Sequence, residues 1–355
     1  MTHSPPPAPP APGRGGAGRD PAFVPGSFSA FVVARAGDSI DAGVRRLTPG
    51  DLPPAEVTVE VDWSVVNYKD GMVTRPGNRV ARIDPLVPGV DLVGTVLASD
   101  TPSIGVGEQV VVHGYDLGVA HHGGFSELAR VPGAWVVPLP DALTARRAAV
   151  IGTAGFTAAL SLRRLEHHGL GPGDGPVLVT GSTGGVGSMA VSLLASRGYQ
   201  VVASTGKATE RRYLLGLGAA EVIDRAELAG VSDRTLGPER WAGAVDCVGG
   251  DSLSAILRTL HYGAAVAASG LTGGSAFEST VYPFIVRNAS LIGIDTVQTP
   301  IEERRLVWAE LAAAWPAAAL DDMVEGELGL EQLGPALERI LAGGVRGRIL
   351  VRPAG

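Results

Sequence analysis

Between Gly175 and Ala268 the chain repeats one pattern, a short apolar run followed by a stretch of helical length. The runs are Val177-Leu178-Val179-Thr180, Gln200-Val201-Val202-Ala203, Glu221-Val222-Ile223-Asp224, Gly243-Ala244-Val245-Asp246-Cys247-Val248 and Ala264-Ala265-Val266-Ala267-Ala268. Strands that are apolar on both faces must be covered on both faces, and strands separated by helices pair in parallel. The segment therefore reads as α/β, a doubly wound parallel sheet.

The first run leads straight into Gly181-Ser182-Thr183-Gly184-Gly185-Val186-Gly187-Ser188 and an apolar helix start. Glycines at such a turn let backbone approach a pyrophosphate, and the free N–H groups and dipole of the helix N-terminus favour the anion. In G-x-G-x-x-G register the positions are Ser182, Gly184 and Gly187, so serine replaces the first glycine. A turn that binds nothing is the plain alternative; the succession of strand, turn, helix and second strand favours a dinucleotide. The second run ends Ala203-Ser204-Thr205-Gly206-Lys207, where an acid would hold the ribose 2′-hydroxyl of NAD. Hydroxyls and a cation suit a 2′-phosphate instead, which makes NADPH the expected cofactor. Arg211 and Arg212 are either further cations for it or a solvated helix face.

Upstream, from Phe28 to about Pro140, the texture is different: Val57 to Trp63, Gly94 to Leu97 and Gln109 to Val112 are short β-type runs broken by turns. These predict a small, mostly antiparallel β domain. A chain of 355 residues accommodates two domains. The expected divisions are an extension over 1–26, a β-rich part over 27–150, the cofactor domain over 151–289, and a remainder over 290–355. The extension, with Pro5, Pro6, Pro7, Pro9, Pro10 and Pro12, has too little apolar surface to offset the entropy of ordering.

Bulk properties exclude several function classes. No apolar run reaches the roughly 20 residues of a membrane span, and Met1 to Asp20 lack a leader pattern, so a cytoplasmic protein is expected. A net charge of -7 argues against general nucleic-acid binding. The single cysteine, Cys247, permits no internal disulfide or thiolate zinc site, and its apolar context suggests a buried, inert thiol.

The segments Asn67-Tyr68-Lys69-Asp70-Gly71 and Val87-Pro88-Gly89-Val90-Asp91-Leu92-Val93-Gly94 resemble the medium-chain dehydrogenase/reductase superfamily. There a GroES-like β-rich catalytic domain accompanies a doubly wound Rossmann cofactor domain. Zinc alcohol dehydrogenases carry a cysteine near the first segment and His-Glu in the second. Here Val90 and Asp91 stand at the latter positions and no thiol at the former, so no metal is expected.

Ile151 to Ala158, Trp241 to Asp246 and Tyr282-Pro283-Phe284-Ile285-Val286-Arg287-Asn288 extend the similarity to the acrylyl-CoA reductase branch, which includes proteins called quinone oxidoreductases. The resemblance covers nearly all of the chain from about Phe28. It implies that residues 290–355 return to the catalytic domain, that the active cleft lies between the domains, and that the protein is a homodimer. It implies Tyr68 beside the nicotinamide, Thr183, Gly184, Gly185 and Val186 on the pyrophosphate, and Thr205, Gly206 and Lys207 on the 2′-phosphate. Arg225, Leu271, Ile285 and Thr296 match further cofactor positions. Lys207 stands where relatives often have arginine, and so lacks the planar fork.

The reaction implied is NADPH-dependent reduction of acrylyl-CoA to propionyl-CoA, with hydride to the β-carbon and a proton to the α-carbon. A quinone or enone reductase, or a non-catalytic NADPH-binding sensor, are the alternatives. Tyr68 is the candidate proton donor, with a bound water as rival source and a purely packing role as the plain reading. Arg75, Arg79 and Arg82 form either a basic mouth for coenzyme A phosphates or a solvated surface. His121 and His122 read as a turn flanking the cleft rather than metal ligands, and Asp91 and Asp246 as structural hydrogen-bond acceptors.

Overall fold

The computed structural model describes residues 24–229, 235–315 and 317–354. The expected extension lies outside the described residues up to residue 23; Val24 already packs on the core of the N-terminal hairpin. That hairpin is β1 (Phe28–Ala36) with β2 (Ser39–Leu47), paired antiparallel. There follow β3 (Val57–Val65), α1 (Tyr68–Val73), β4 (Asp91–Ser99), β5 (Gln109–His113), β6 (Leu128–Val131) and β7 (Val137–Pro138).

Helix α2 (Ala145–His167) leads into the alternating region: β8 (Val177–Val179), α3 (Gly185–Ser196), β9 (Val201–Thr205), α4 (Arg211–Gly216), β10 (Glu221–Asp224) and α5 (Arg225–Ala229). It continues through β11 (Trp241–Asp246), α6 (Gly250–Leu257), β12 (Leu260–Ala268), α7 (Tyr282–Arg287) and β13 (Ser290–Gly293). The chain closes with α8 (Ile301–Ala314), α9 (Ala317–Asp321), β14 (Val324–Leu328), α10 (Leu333–Leu341) and β15 (Arg348–Val351).

Two main sheets result. One is parallel throughout, in the order β10-β9-β8-β11-β12-β13. Its inner strands β8 and β11 are buried along their whole length, as two-sided covering requires. The other runs β14-β15-β3-β4-β5-β7 with β6 on β3, antiparallel except between β14 and β15. The C-terminal strands thus rejoin the β-rich sheet. Two expected divisions move: β13 is the edge strand of the parallel sheet, so residues 290–293 belong there, and the border at 150/151 falls inside α2.

Helix α2 begins at Thr144, whose side chain accepts the Arg147 N–H, and bends at Gly152, where φ is 45°. It joins the sheets, because one apolar cluster contains Val65, Val93 and Val111 from the antiparallel sheet, Phe156 and Leu162 from α2, and Val177 and Val201 from the parallel sheet. No described helix is long and apolar enough to cross a membrane.

Candidate active site

The carboxyl ends of successive parallel strands all face one edge of the sheet, where open α/β sheets bind ligands. At that edge lie Thr183, Gly184, Gly185 and Val186 after β8, Thr205, Gly206 and Lys207 after β9, and Arg225 after β10. Leu271 follows β12 and Thr296 follows β13, while Ile285 is on α7 between them. Leu271 and Ile285 are 51% and 71% exposed, so neither is a core residue. The sheet order places Arg225 and Thr205 at one flank, the glycine turn near the middle, and Leu271 and Thr296 at the other.

The turn after β8 explains its departure from the glycine pattern. Gly181 takes the left-handed conformation, with φ of 58°. Ser182 is buried, donates its hydroxyl to the Val179 carbonyl at 2.7 Å, and accepts the Ser188 hydroxyl at 3.1 Å on its own carbonyl. Gly187 has no substitute, since a Cβ there would strike the Gly181 carbonyl and the Ser182 backbone. The first turn of α3 then presents N–H groups that have no intrahelical acceptor.

At the next loop, Thr205 Oγ1 accepts the Lys207 N–H at 3.0 Å, and Lys207 Nζ donates to the Val345 carbonyl at 2.8 Å. The Arg225 side chain lies over Gly206, its Nε 2.6 Å from where a Cβ would stand. Arg211 turns away and donates to the Val222 carbonyl at 2.6 Å, while Arg212 is exposed. The loop thus carries hydroxyl, lysine and arginine with no carboxylate at the end of β9, an arrangement suited to a phosphate.

Tyr68, half-buried, opens α1, and the residues around it form a buried polar network. Asp70 accepts N–H groups of Asn67 at 2.8 Å, Gly89 at 3.1 Å and Val90 at 3.0 Å. Asp91 accepts Asn67 Nδ2 at 2.7 Å and Thr153 through N at 2.7 Å and Oγ1 at 2.8 Å. Arg348 donates to the Val150 carbonyl at 3.0 Å and reaches Asn67 Oδ1 at 3.4 Å. Its Nη1 also lies 2.5 Å from where a Cβ would stand on Gly185, and the Gly347 N–H binds the Thr183 carbonyl at 2.8 Å. A buried cation therefore links the tyrosine segment to the glycine turn.

Burial pushes the Asp70 carboxyl up to about 7, with the charge of Asp91 adding to it and the three N–H donors opposing. Burial also raises Asp91, against the attraction of Arg348. Both carboxylates are occupied by internal donors. Asp246 is likewise internal, accepting the Thr180 hydroxyl at 2.6 Å and the Gly249 N–H at 2.9 Å. Burial pushes the neighbouring Cys247 thiol up to about 12, which keeps it protonated. His122 accepts the Val87 N–H at 3.1 Å, His121 pairs with the His122 carbonyl, and burial lowers both. Among the described residues no group of three His, Cys, Asp or Glu could hold a metal ion.

In the loop after α1, Arg75, Arg79 and Arg82 are all exposed, and Arg82 forms an ion pair with Asp116. Asp116 is remote in sequence and local spacing could not reveal it. Arg348 was missed too, although an arginine inside the otherwise apolar Ile349-Leu350-Val351 strand was a visible signal.

Residues 53–141 match the alcohol dehydrogenase GroES-like domain family, and residues 185–313 match the zinc-binding dehydrogenase family. Acrylyl-CoA reductase AcuI of Ruegeria pomeroyi is 45% identical over 326 residues, covering 91% of this chain and 98% of that protein. The chain belongs to the medium-chain dehydrogenase/reductase superfamily. Within this superfamily of oxidoreductases, YhdH of Salmonella enterica, solved in complex with NADP, is 42% identical with a TM-score of 0.89 over 92% of this chain and 99% of that one. Bacillus subtilis YhfP, provisionally named a quinone oxidoreductase and solved with NAD bound, is 45% identical with the same TM-score over 92% and 99%. The superfamily's two parts correspond to the β-rich and parallel sheets described above.

Proposed function

We propose that this oxidoreductase binds NADPH and reduces the carbon-carbon double bond of acrylyl-CoA, yielding propionyl-CoA. The observation that carries the cofactor reading is the phosphate-suited loop of Thr205, Lys207 and Arg225 beside a glycine cradle that Gly187 alone can complete. The likeness to AcuI supports the substrate.

In this reading NADPH supplies a hydride to the β-carbon of the thioester. The α3 N-terminus holds the pyrophosphate with Arg348 behind it, and Thr205, Gly206, Lys207 and Arg225 hold the 2′-phosphate. Leu271, Ile285 and Thr296 flank the nicotinamide end. Tyr68 donates a hydrogen bond to the developing enolate oxygen, and it or a water delivers the α-proton. Arg75 and Arg79 remain available for the coenzyme A phosphates. We include a homodimer in the proposal; Val281, which caps α7, and Tyr282 and Val286 on it offer an exposed apolar surface just before the edge strand β13.

The test is NADPH oxidation by the purified protein with acrylyl-CoA, crotonyl-CoA, an enone and a quinone, each repeated with NADH. Rapid NADPH-selective turnover of acrylyl-CoA is expected. Activity confined to the enone or quinone would move the function to the reading that the name of YhfP favours. In the same assay Tyr68→Phe should lower kcat by about tenfold to a hundredfold with cofactor binding retained; near-full turnover would leave Tyr68 as a packing residue.

A further inference from the structure

Arg304 is wholly buried on α8, yet among the described residues no carboxylate pairs with it. Its charge is met by carbonyls of one short turn: Nη2 donates to Thr296 at 2.6 Å and Val297 at 3.0 Å, and Nε donates to Thr299 at 3.1 Å. The guanidinium also lies over the Tyr115 ring, 4.3 Å from its centroid, and 3.1 Å from His113 Nδ1. Trp308, one turn further along α8, donates its indole N–H to His113 Nε2 at 2.9 Å.

The turn from Asp295 to Thr299 leaves the carboxyl end of β13, whereas His113 ends β5 in the other sheet. Arg304 therefore joins the cofactor crevice to the substrate-side sheet. Tyr115 reinforces the joint, with its N–H donating to the Val297 carbonyl at 2.8 Å and its ring stacked on Trp135. It does so with a φ of 49°, a conformation that non-glycine residues seldom adopt and that neighbouring structure must enforce. Asp295 and Asp91 attract this cation from beyond ion-pair contact, so its hydrogen bonds must come from nearby dipoles that converge on it. Here those dipoles belong to the backbone flanking Thr296.

We propose that Arg304 is a positioning residue: through the Thr296, Val297 and Thr299 carbonyls it sets the turn at the nicotinamide end of the crevice against the substrate-side sheet, and so fixes the alignment for hydride transfer. This rests on the NADPH reading above. The role predicts a split between the two ends of the cofactor, because the 2′-phosphate loop lies on the opposite flank of the sheet.

The test compares wild type with Arg304→Met and Arg304→Lys. The readouts are binding of NADPH and of 2′,5′-ADP, which has only the adenine end, together with kcat and the primary isotope effect with nicotinamide-deuterated NADPH. Expected are unchanged 2′,5′-ADP affinity, a fall in kcat of about tenfold to a hundredfold in Arg304→Met, and a larger isotope effect as hydride transfer becomes limiting. Wild-type kcat and isotope effect in a variant that merely melts at lower temperature would reduce Arg304 to a structural role and overturn the proposal. If Arg304→Met does not fold, Arg304→Lys, which cannot hold three carbonyls in one plane, decides by the same criteria. Failure of wild type itself to bind NADPH would instead strike the reading on which the proposal rests.

Discussion

Lys207 and Arg225 approach one loop from different sides, Lys207 held by the Val345 carbonyl and Arg225 lying over Gly206. If they share a 2′-phosphate, each contributes a charge-assisted hydrogen bond, and losing one costs about 1.5–3 kcal/mol. Lys207→Glu or Arg225→Ala should then raise KM for NADPH by about tenfold or more while leaving KM for NADH little changed. Steady-state kinetics with both cofactors checks this; equal effects on both would place these residues outside the phosphate site. Lys207 was legible because it follows a recognisable strand end. The contact of Arg225 with Gly206 required the folded βα unit that brings β10 beside β9.

Asp70 gives a pH-dependent prediction. Its folded-state value of about 7 exceeds the ordinary 3.8, so the folded protein binds a proton more tightly than the unfolded chain. The group's contribution is favourable below 3.8 relative to higher pH and declines as pH rises to about 7, by a few kcal/mol at most. Melting temperatures measured across this window should fall with rising pH more steeply in wild type than in Asp70→Asn. Parallel curves would mean that the three N–H donors hold Asp70 ionised throughout.

Among the elements, α2 is constrained at its bend. Its bend at Gly152 brings the Asp91 carboxylate and the Arg348 guanidinium to 3.1 Å and 3.2 Å from where a Cβ would project, and its φ of 45° is strained for any other residue. Gly152→Ala should therefore destabilise the protein by about 1–3 kcal/mol, read as a lower midpoint in urea unfolding. A midpoint equal to wild type would mean that the bend relaxes freely. The segment Ile151 to Ala158 was noticed in the sequence for its resemblance, but neither its helical state nor its bend was read from it. A glycine within an apolar helix has many possible reasons, and the buried pair that requires this one comes from β4 and β15.

At the scale of the molecule, the two sheets are not separate bodies loosely joined. Side chains from both, with α2, α3 and α8 between them, form one apolar cluster that includes Trp308 and Leu311. The hydrophobic term is shared across the domain boundary, so unfolding either sheet exposes surface of the other. Near-ultraviolet circular dichroism, tryptophan fluorescence and far-ultraviolet circular dichroism should accordingly report one coincident urea transition. Two separated transitions would show that the sheets unfold independently.

The alternation of buried strands and helices, the glycine turn after β8 and the phosphate-suited end of β9 were determined by sequence alone. Each is a matter of local pattern, settled within a dozen or so neighbouring residues by burial period, steric allowance and charge. The tertiary structure decided that β13 joins the parallel sheet, that Asp116 neutralises Arg82, and that Arg348 meets Asn67 across 281 positions of sequence. The first two depend on which segments the fold lays side by side, since the Arg82–Asp116 pair is exposed; the third depends on a low-dielectric interior, where the buried charge of Arg348 must find acceptors wherever the fold supplies them. Spacing along the chain carries no record of such meetings.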